Sequence, residues 1–293
     1  MEKTRQNSLM MTSYIGKYIL LFFLMLAFIS CGKIHSDRSS ESSLKEINTN
    51  NRIPDYEKRC HMYSHGAIIR GDTNSKELAL VFTGDEFGDG GKYISEVLKK
   101  EEIRASFFLT GNFYRKKEFE PVVRELLNNG NYLGSHSDSH LLYCDWGKRD
   151  SLLISKKEFI DDLNSSYSEM AKFGIRRTGA IYFLPPYEWY NDSIASWTDE
   201  SGLKLVNFTG GTRSNADYTY PGMGDQYVDS KSIYNSVISY EQNSVSGMNG
   251  FILLVHVGTD PRRTDKFYFY LPQLITELKR HGYRFVRIDD LLN

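Results

Sequence analysis

Two histidines stand four residues apart in the stretch GSHSDSH, His136 and His140, directly behind a short apolar run. Imidazoles at that spacing can chelate one ion together if the chain turns helically between them, because residues i and i+4 share a helix face. Asp85 and Glu86 in VFTGDEF supply carboxylates, and His256 in ILLVH supplies a third imidazole. One carboxylate with two imidazoles makes the three protein ligands of a catalytic divalent metal, zinc first among the candidates, with positions left open. Such an ion polarises a carbonyl and draws the pKa of bound water towards neutrality. The remaining histidine, His256, could then protonate a leaving group. Pro186 and Tyr187 in YFLPPYEW join the set. Taken singly, each residue has a plainer reading: a solvated turn at Asp85–Glu86, a hydrogen-bonded buried histidine at 256, a rigid turn at Pro186–Tyr187. Their joint order along the chain lifts the chemical reading above these.

That order follows the elements that must position them. ELALVFT precedes Asp85, NYLGSH carries His136, AIYFL precedes Pro186, and FILLVH ends on His256. ASFFLT, KLVNF and YRFVRI are further strand candidates, and helical patterns lie between these runs. Ser155 with Glu158 three residues on forms a capping box that opens one of them. Strand–helix alternation predicts parallel strands with outer helices. The expected class is α/β, a distorted (β/α) barrel of about seven parallel strands in a single domain. Active residues are then expected at the C-terminal ends of strands.

The set resembles the NodB-homology polysaccharide deacetylases, carbohydrate esterase family 4. The family runs through a TFDDG strand end, an HS/TxxH motif, an RxPYG loop, a DW loop and a late LxH strand. This chain shows VFTGDEF, HSDSH, FLPPYE, SNADY and LVH in the same order. The similarity covers residues 66 to 293 and implies deacetylation of N- or O-acetylated carbohydrate at a divalent metal, commonly zinc. It implies His136 and His140 as ligands, alongside an aspartate, and His256 as acid. It also implies the Tyr187 backbone as an oxyanion donor and Asp217–Tyr218 as the counterpart of the DW loop. Trp189 and Tyr187, within YEWY, are candidate walls of a sugar groove.

Two departures bear on mechanism. A gapless alignment puts Thr83 and Gly84 on the family's base and ligand aspartates. A one-residue bulge makes Asp85 the ligand, and a two-residue shift makes Asp85 the base and Glu86 the ligand. The smaller change is preferred here, with Glu86 as the nearest relocated base. The family's arginine, which positions the base, corresponds to Leu184. Three readings follow: a metal-dependent carbohydrate deacetylase, a glycan-binding pseudoenzyme on the same fold, and a hydrolase of another acyl or amide bond.

Composition bounds the rest. The 36 basic and 37 acidic side chains lack the positive excess a nucleic-acid binder needs. Lys3, Arg5 and Lys17 precede an uncharged run from Tyr18 to Ser30 that ends at Cys31. At roughly a dozen residues the run is shorter than a bilayer span, and it reads as a lipoprotein-type signal over 1–30. Lipidation of Cys31 would leave a polar tether over 31–51 and a domain over 52–293, exported and membrane-anchored through the lipid alone. Whether Cys60 and Cys144 pair, and what oligomer forms, stays open at this point.

Overall fold

A computed structural model describes residues 60–293. The signal segment, the tether and Cys31 lie outside the described residues. In chain order the elements are β1 (Met62–Ser64), β2 (Ala67–Arg70), β3 (Glu77–Gly84), α1 (Gly91–Lys100), β4 (Ser106–Leu109) and α2 (Gly111–Arg115). They continue with α3 (Glu120–Asn128), β5 (Tyr132–Ser135), α4 (Lys156–Ala171), β6 (Tyr182–Phe183), α5 (Asp192–Glu200) and β7 (Lys204–Leu205). The chain closes with α6 (Ser230–Asn243), β8 (Phe251–His256), α7 (Leu271–Arg280), β9 (Arg284–Val286) and α8 (Ile288–Leu291).

The sheet order is β1-β2-β8-β3-β4-β5-β6-β7, with β9 paired to β3. Strands β3 to β9 pair in parallel, as the strand–helix alternation predicts. The hairpin β1–β2 is an addition that the alternation does not foretell, and it joins β8 antiparallel through Arg70 and Phe251. A single parallel bridge, Ile68 to Val206, carries the sheet round from β2 to the end of β7 and makes a distorted barrel.

Successive side chains in a strand point to opposite faces. In β3, Leu78, Leu80 and Phe82 join the outer cluster under the helices, with Phe107, Leu253 and Leu274. Ala79 and Val81 join the inner cluster with Phe108, Tyr182, Leu184, Ile252 and Leu254. The C-terminal Ile288, Leu291 and Leu292 pack into that inner cluster, and the Ile288 amide donates to Ser106 Oγ at the start of β4. The barrel is therefore filled from its N-terminal end, and only its C-terminal rim is available for chemistry. The alternation places Thr83, Thr110, His136, Leu184 and His256 on the inner side of that rim. Helix α4 opens on the expected capping box, with the Ser155 hydroxyl and Glu158 carboxylate reciprocally bonded to backbone amides. Cys144 is buried and Cys60 exposed. Among the described residues no helix is long and apolar enough to cross a membrane.

Candidate active site

His136 follows the last residue of β5 and is 2% exposed. Its Nδ1–H donates to the Leu184 carbonyl at 2.8 Å, which fixes the tautomer and leaves Nε2 with a free lone pair. Burial first, and the neighbouring His140 second, hold His136 well below the ordinary imidazole range, so the ring is neutral. His140 is also lowered, chiefly by burial, with Asp85 pulling the other way. The two Nε2 atoms face each other at 3.3 Å.

The expected route to this juxtaposition, a helical turn, is not the one taken. Residues 136–140 are irregular, with Ser137 at φ 72° and His140 at φ 53°. Side chains hold the loop in this shape. Asp162 on α4 accepts the amides of Asp138 and Ser139 at 2.9 and 3.0 Å, and Ser137 Oγ accepts the His140 amide at 3.0 Å. Arg115 on α2 grips the Asp138 carboxylate with two bonds, at 2.7 and 3.0 Å. The fit is tight enough to require glycine at 111, where a Cβ would lie 1.8 Å from Asp138 Oδ1.

Asp85 lies in the bend just after β3. The strand pairs without interruption through Gly84, so the expected one-residue bulge is absent from it. Gly84 itself leaves no room, since a Cβ there would meet Leu109 at 2.9 Å. Asp85 Oδ1 accepts from Thr110 Oγ1 at 2.7 Å and from Asn112 Nδ2 at 3.4 Å. Asn112 Oδ1 in turn accepts from Arg115 at 2.7 Å, so one polar chain ties Asp85 to the histidine loop. Glu86 is exposed, and its backbone carbonyl accepts from Lys116 Nζ. None of its described contacts reaches the histidines.

On the opposite side of the rim His256 ends β8. Asp217, 2% exposed, accepts the His256 ring Nδ1–H at 2.6 Å and the His256 amide at 2.9 Å. Burial would lower the His256 pKa, but the Asp217 carboxylate, helped by Glu188, outweighs it and holds the imidazole above its ordinary value. Tyr218 lies with its ring 5.6 Å from His256.

Pro186 is buried and Tyr187 is 43% exposed, with its ring centroid 4.3 Å from that of His140. Tyr187 and Glu188 both have positive φ, 59° and 53°. Trp146, 49% exposed, stands edge-on to Tyr187 at 5.7 Å and lies 5.6 Å from Trp189. Arg149 covers the Trp189 ring at 3.7 Å. Glu188 and Trp146 escaped the sequence reading. Glu188 stands where the RxPYG pattern has its glycine and so offered a signal, whereas Trp146 sits in a loop without periodicity.

Two neutral imidazole nitrogens 3.3 Å apart fit two corners of a metal coordination tetrahedron. For zinc–nitrogen bonds of about 2.1 Å the edge of that tetrahedron is about 3.4 Å. The carboxylate leg is looser. Asp85 neighbours His140 while bonded to Thr110, and among the described residues no three His, Cys, Asp or Glu side chains converge as a ready ligand set.

The chain is similar to several known proteins. Residues 70–206 match the polysaccharide deacetylase family model. A peptidoglycan-N-acetylglucosamine deacetylase of Bacillus cereus is 24% identical over 221 residues, 75% of this chain and 89% of that protein. A peptidoglycan-N-acetylmuramic acid deacetylase of Bacillus subtilis is 25% identical over 248 residues, 83% of this chain and 82% of its own. Among solved structures, a carbohydrate esterase family 4 pseudoenzyme from Bacillus anthracis aligns with TM-score 0.60 at 21% identity, covering 79% of this chain and 70% of that one. A mutant of it with restored enzymatic activity aligns with the same TM-score.

Proposed function

This chain is a divergent member of the NodB-homology polysaccharide deacetylases, and on that premise we propose that it is a hydrolase removing N- or O-linked acetyl groups from a carbohydrate. The observation that carries the reading is the meeting of Asp85, His136, His140, Tyr187 and His256 on one barrel rim, with Asp217 bonded to His256. A divalent metal, zinc by preference, would be held by His136 and His140 with Asp85 beside them, and would supply Lewis-acid polarisation of the acetyl carbonyl and a reactive water. The protein's own residues do the rest. The Leu184 carbonyl keeps the His136 Nε2 lone pair facing the site. His256, whose pKa Asp217 raises against the effect of burial, would present Nε2–H to the departing amine or alcohol. The Tyr187 backbone would stabilise the oxyanion. Tyr218, Trp189 and Pro186, with Trp146, would shape the groove for sugar rings.

The substrate would be an acetylated glycan of the peptidoglycan or chitin type, as the relatives' activities suggest. We place the protein at the bacterial cell surface or in the periplasm, anchored through lipid on Cys31. Acetate release from N-acetylglucosamine oligomers and from peptidoglycan tests the reading. Release that depends on added zinc and disappears in His140→Ala supports it. Full release from the chelated protein sinks the mechanism.

A second reading has its own observation. Thr83 is 1% exposed with a hydroxyl that has no described partner, and Leu184, on the inner side of the same rim, is fully buried. In the gapless alignment Thr83 falls on the family's base aspartate, and Leu184 on its arginine, so a glycan-binding pseudoenzyme is the alternative. It predicts saturable oligosaccharide binding with no acetate released.

A further inference from the structure

The aromatic shelf beside His140 carries a positive charge that the acetyl chemistry does not use. Arg149 lays its guanidinium over Trp189, with Cζ 3.7 Å from that ring centroid and 6.0 Å from that of Tyr190. From Trp189 the rings run without a break to the histidine pair. Trp189 lies 5.6 Å from Trp146, Trp146 lies 5.7 Å from Tyr187, and Tyr187 lies 4.3 Å from His140. Trp146 and Tyr187 are the exposed members of this row.

The loop that carries Arg149 is fixed on both sides. Asp145 Oδ1 accepts the Gly147 and Lys148 amides, each at 2.8 Å, and the Asp145 amide donates to the Ser151 carbonyl at 2.9 Å. Trp189 Nε1–H donates to the Asp145 carbonyl at 3.2 Å, and Asn191 Nδ2 donates to the Arg149 carbonyl at 3.1 Å. Arg149 is therefore held in place, half-buried, before any ligand arrives. Its Nε is enclosed without a partner, and among the described residues its guanidinium makes no hydrogen bond and no ion pair. Donors withdrawn from water are almost always paired, because leaving them unpaired is costly. Stacking on Trp189 satisfies the face of the guanidinium and leaves its N–H edge free.

We propose that Arg149 determines specificity by pairing with a carboxylate of the glycan. The preferred substrate is then an acidic acetylated glycan, with its carboxylate on a sugar next to the one that is deacetylated. The proposal rests on the reading of this rim as a glycan site. Sugar rings stacked on Tyr187 and Trp146 would carry their substituents towards Trp189 and the Arg149 edge. A planar guanidinium fork matches a planar carboxylate with two parallel hydrogen bonds. Asp145 and Asp150 balance Lys148 and Arg149, so the loop is neutral as a whole and suits a monoanion better than a doubly charged phosphate. A neutral chitin-type chain would leave the guanidinium unpaired.

The test uses the full-length protein with zinc and two matched pairs of ligands. One pair is a tetrasaccharide of alternating N-acetylglucosamine and N-acetylmuramic acid, with its lactyl carboxylates free or converted to amides. The other is an acetylated uronic-acid oligosaccharide, free or amidated. Affinity is measured by calorimetry and turnover by acetate release, and each is expressed as the ratio of acid to amide. Wild type is expected to favour the acid form of one pair by about 10-fold, less at high salt, and that pair identifies the source of the carboxylate. Arg149→Met keeps an apolar stem over Trp189 and should bring the ratio to about 1. Arg149→Lys keeps the charge without the fork and should retain part of the preference. A general loss of binding cancels in the ratio. A wild-type ratio of about 1 for both pairs overturns the proposal. So does a wild-type ratio retained in Arg149→Met, which would make Arg149 only a cover for Trp189. Acetate release with no acid preference sinks this proposal alone. An Arg149-dependent preference in calorimetry with no acetate released upholds it while overturning the deacetylase reading.

Discussion

Asp217 holds His256 at two points, its Oδ1 on the ring Nδ1–H at 2.6 Å and its Oδ2 on the backbone amide at 2.9 Å. One carboxylate thereby sets both the direction in which the imidazole points and its charge. Asp217→Asn keeps the shape and removes the charge, so the His256 pKa drops, as an NMR titration would register. Acetate release is expected to fall by about 10²-fold or more, with the greatest loss on substrates whose leaving group is a poor one.

The histidine pair predicts a metal phenotype independent of turnover. Zinc titration in a calorimeter should find one tight site in wild type, abolished in His140→Ala. Asp85→Ala should weaken it by about 10²-fold. Retention of wild-type affinity in Asp85→Ala would move the carboxylate role elsewhere.

The loop carrying that pair depends on anchors remote from any ligand. Asp162→Ala strands the buried amide of Asp138 together with that of Ser139 and should cost about 1–3 kcal/mol by urea denaturation. Gly111→Ala should be at least as damaging, because its Cβ would occupy the place of Asp138 Oδ1. Both should lower zinc affinity although neither side chain reaches the site.

Stability should follow pH through Glu188 with a definite sign. Its carboxyl is raised from the ordinary 4.5 to about 7, so the folded state holds the proton more tightly than the unfolded. The stabilising contribution is therefore complete below about 4.5 and is lost as pH rises towards about 7. Subtracting the urea stability of Glu188→Gln from that of wild type should give a difference that declines across this window and is flat above it. A flat difference throughout would contradict the raised pKa.

Trp146→Ala removes an exposed ring and should leave stability nearly unchanged. If the Trp146–Tyr187–Trp189 shelf stacks sugar rings, KM for an N-acetylglucosamine pentamer should rise about 3- to 10-fold with kcat maintained.

The barrel and most of the rim were legible in the sequence because both rest on local periodicity. Apolar runs such as ELALVFT and FILLVH place their own C-terminal ends, so Asp85, His136 and His256 could be set at strand ends without coordinates. The Ser155–Glu158 box announced α4 for the same reason. What escaped depends on long-range geometry. The loop at 136–140 is fixed by Asp162 and Arg115, 22 or more residues from His140 in sequence, and no local pattern announces left-handed residues at 137 and 140. Glu86 looked suitable because it adjoins Asp85, but adjacent residues after a strand end point differently, and it is the exposed one. Glu188 went unnoticed in the sequence, because a carboxyl's electrostatic surroundings are a property of the folded rim.

The burial of Thr83 and Leu184 on the inner side of the rim couples the two positions. A base aspartate and its arginine are interdependent when buried, since an uncompensated buried charge costs about 3–5 kcal/mol. Thr83→Asp alone would bury a carboxylate with no guanidinium at 184, and Leu184→Arg alone would bury a guanidinium with no carboxylate at 83. Each single step back towards the family pattern is thus uphill, and only the double replacement restores a compensated pair. The two positions therefore act as a coupled unit, which accepts ionisable groups together and resists either one alone.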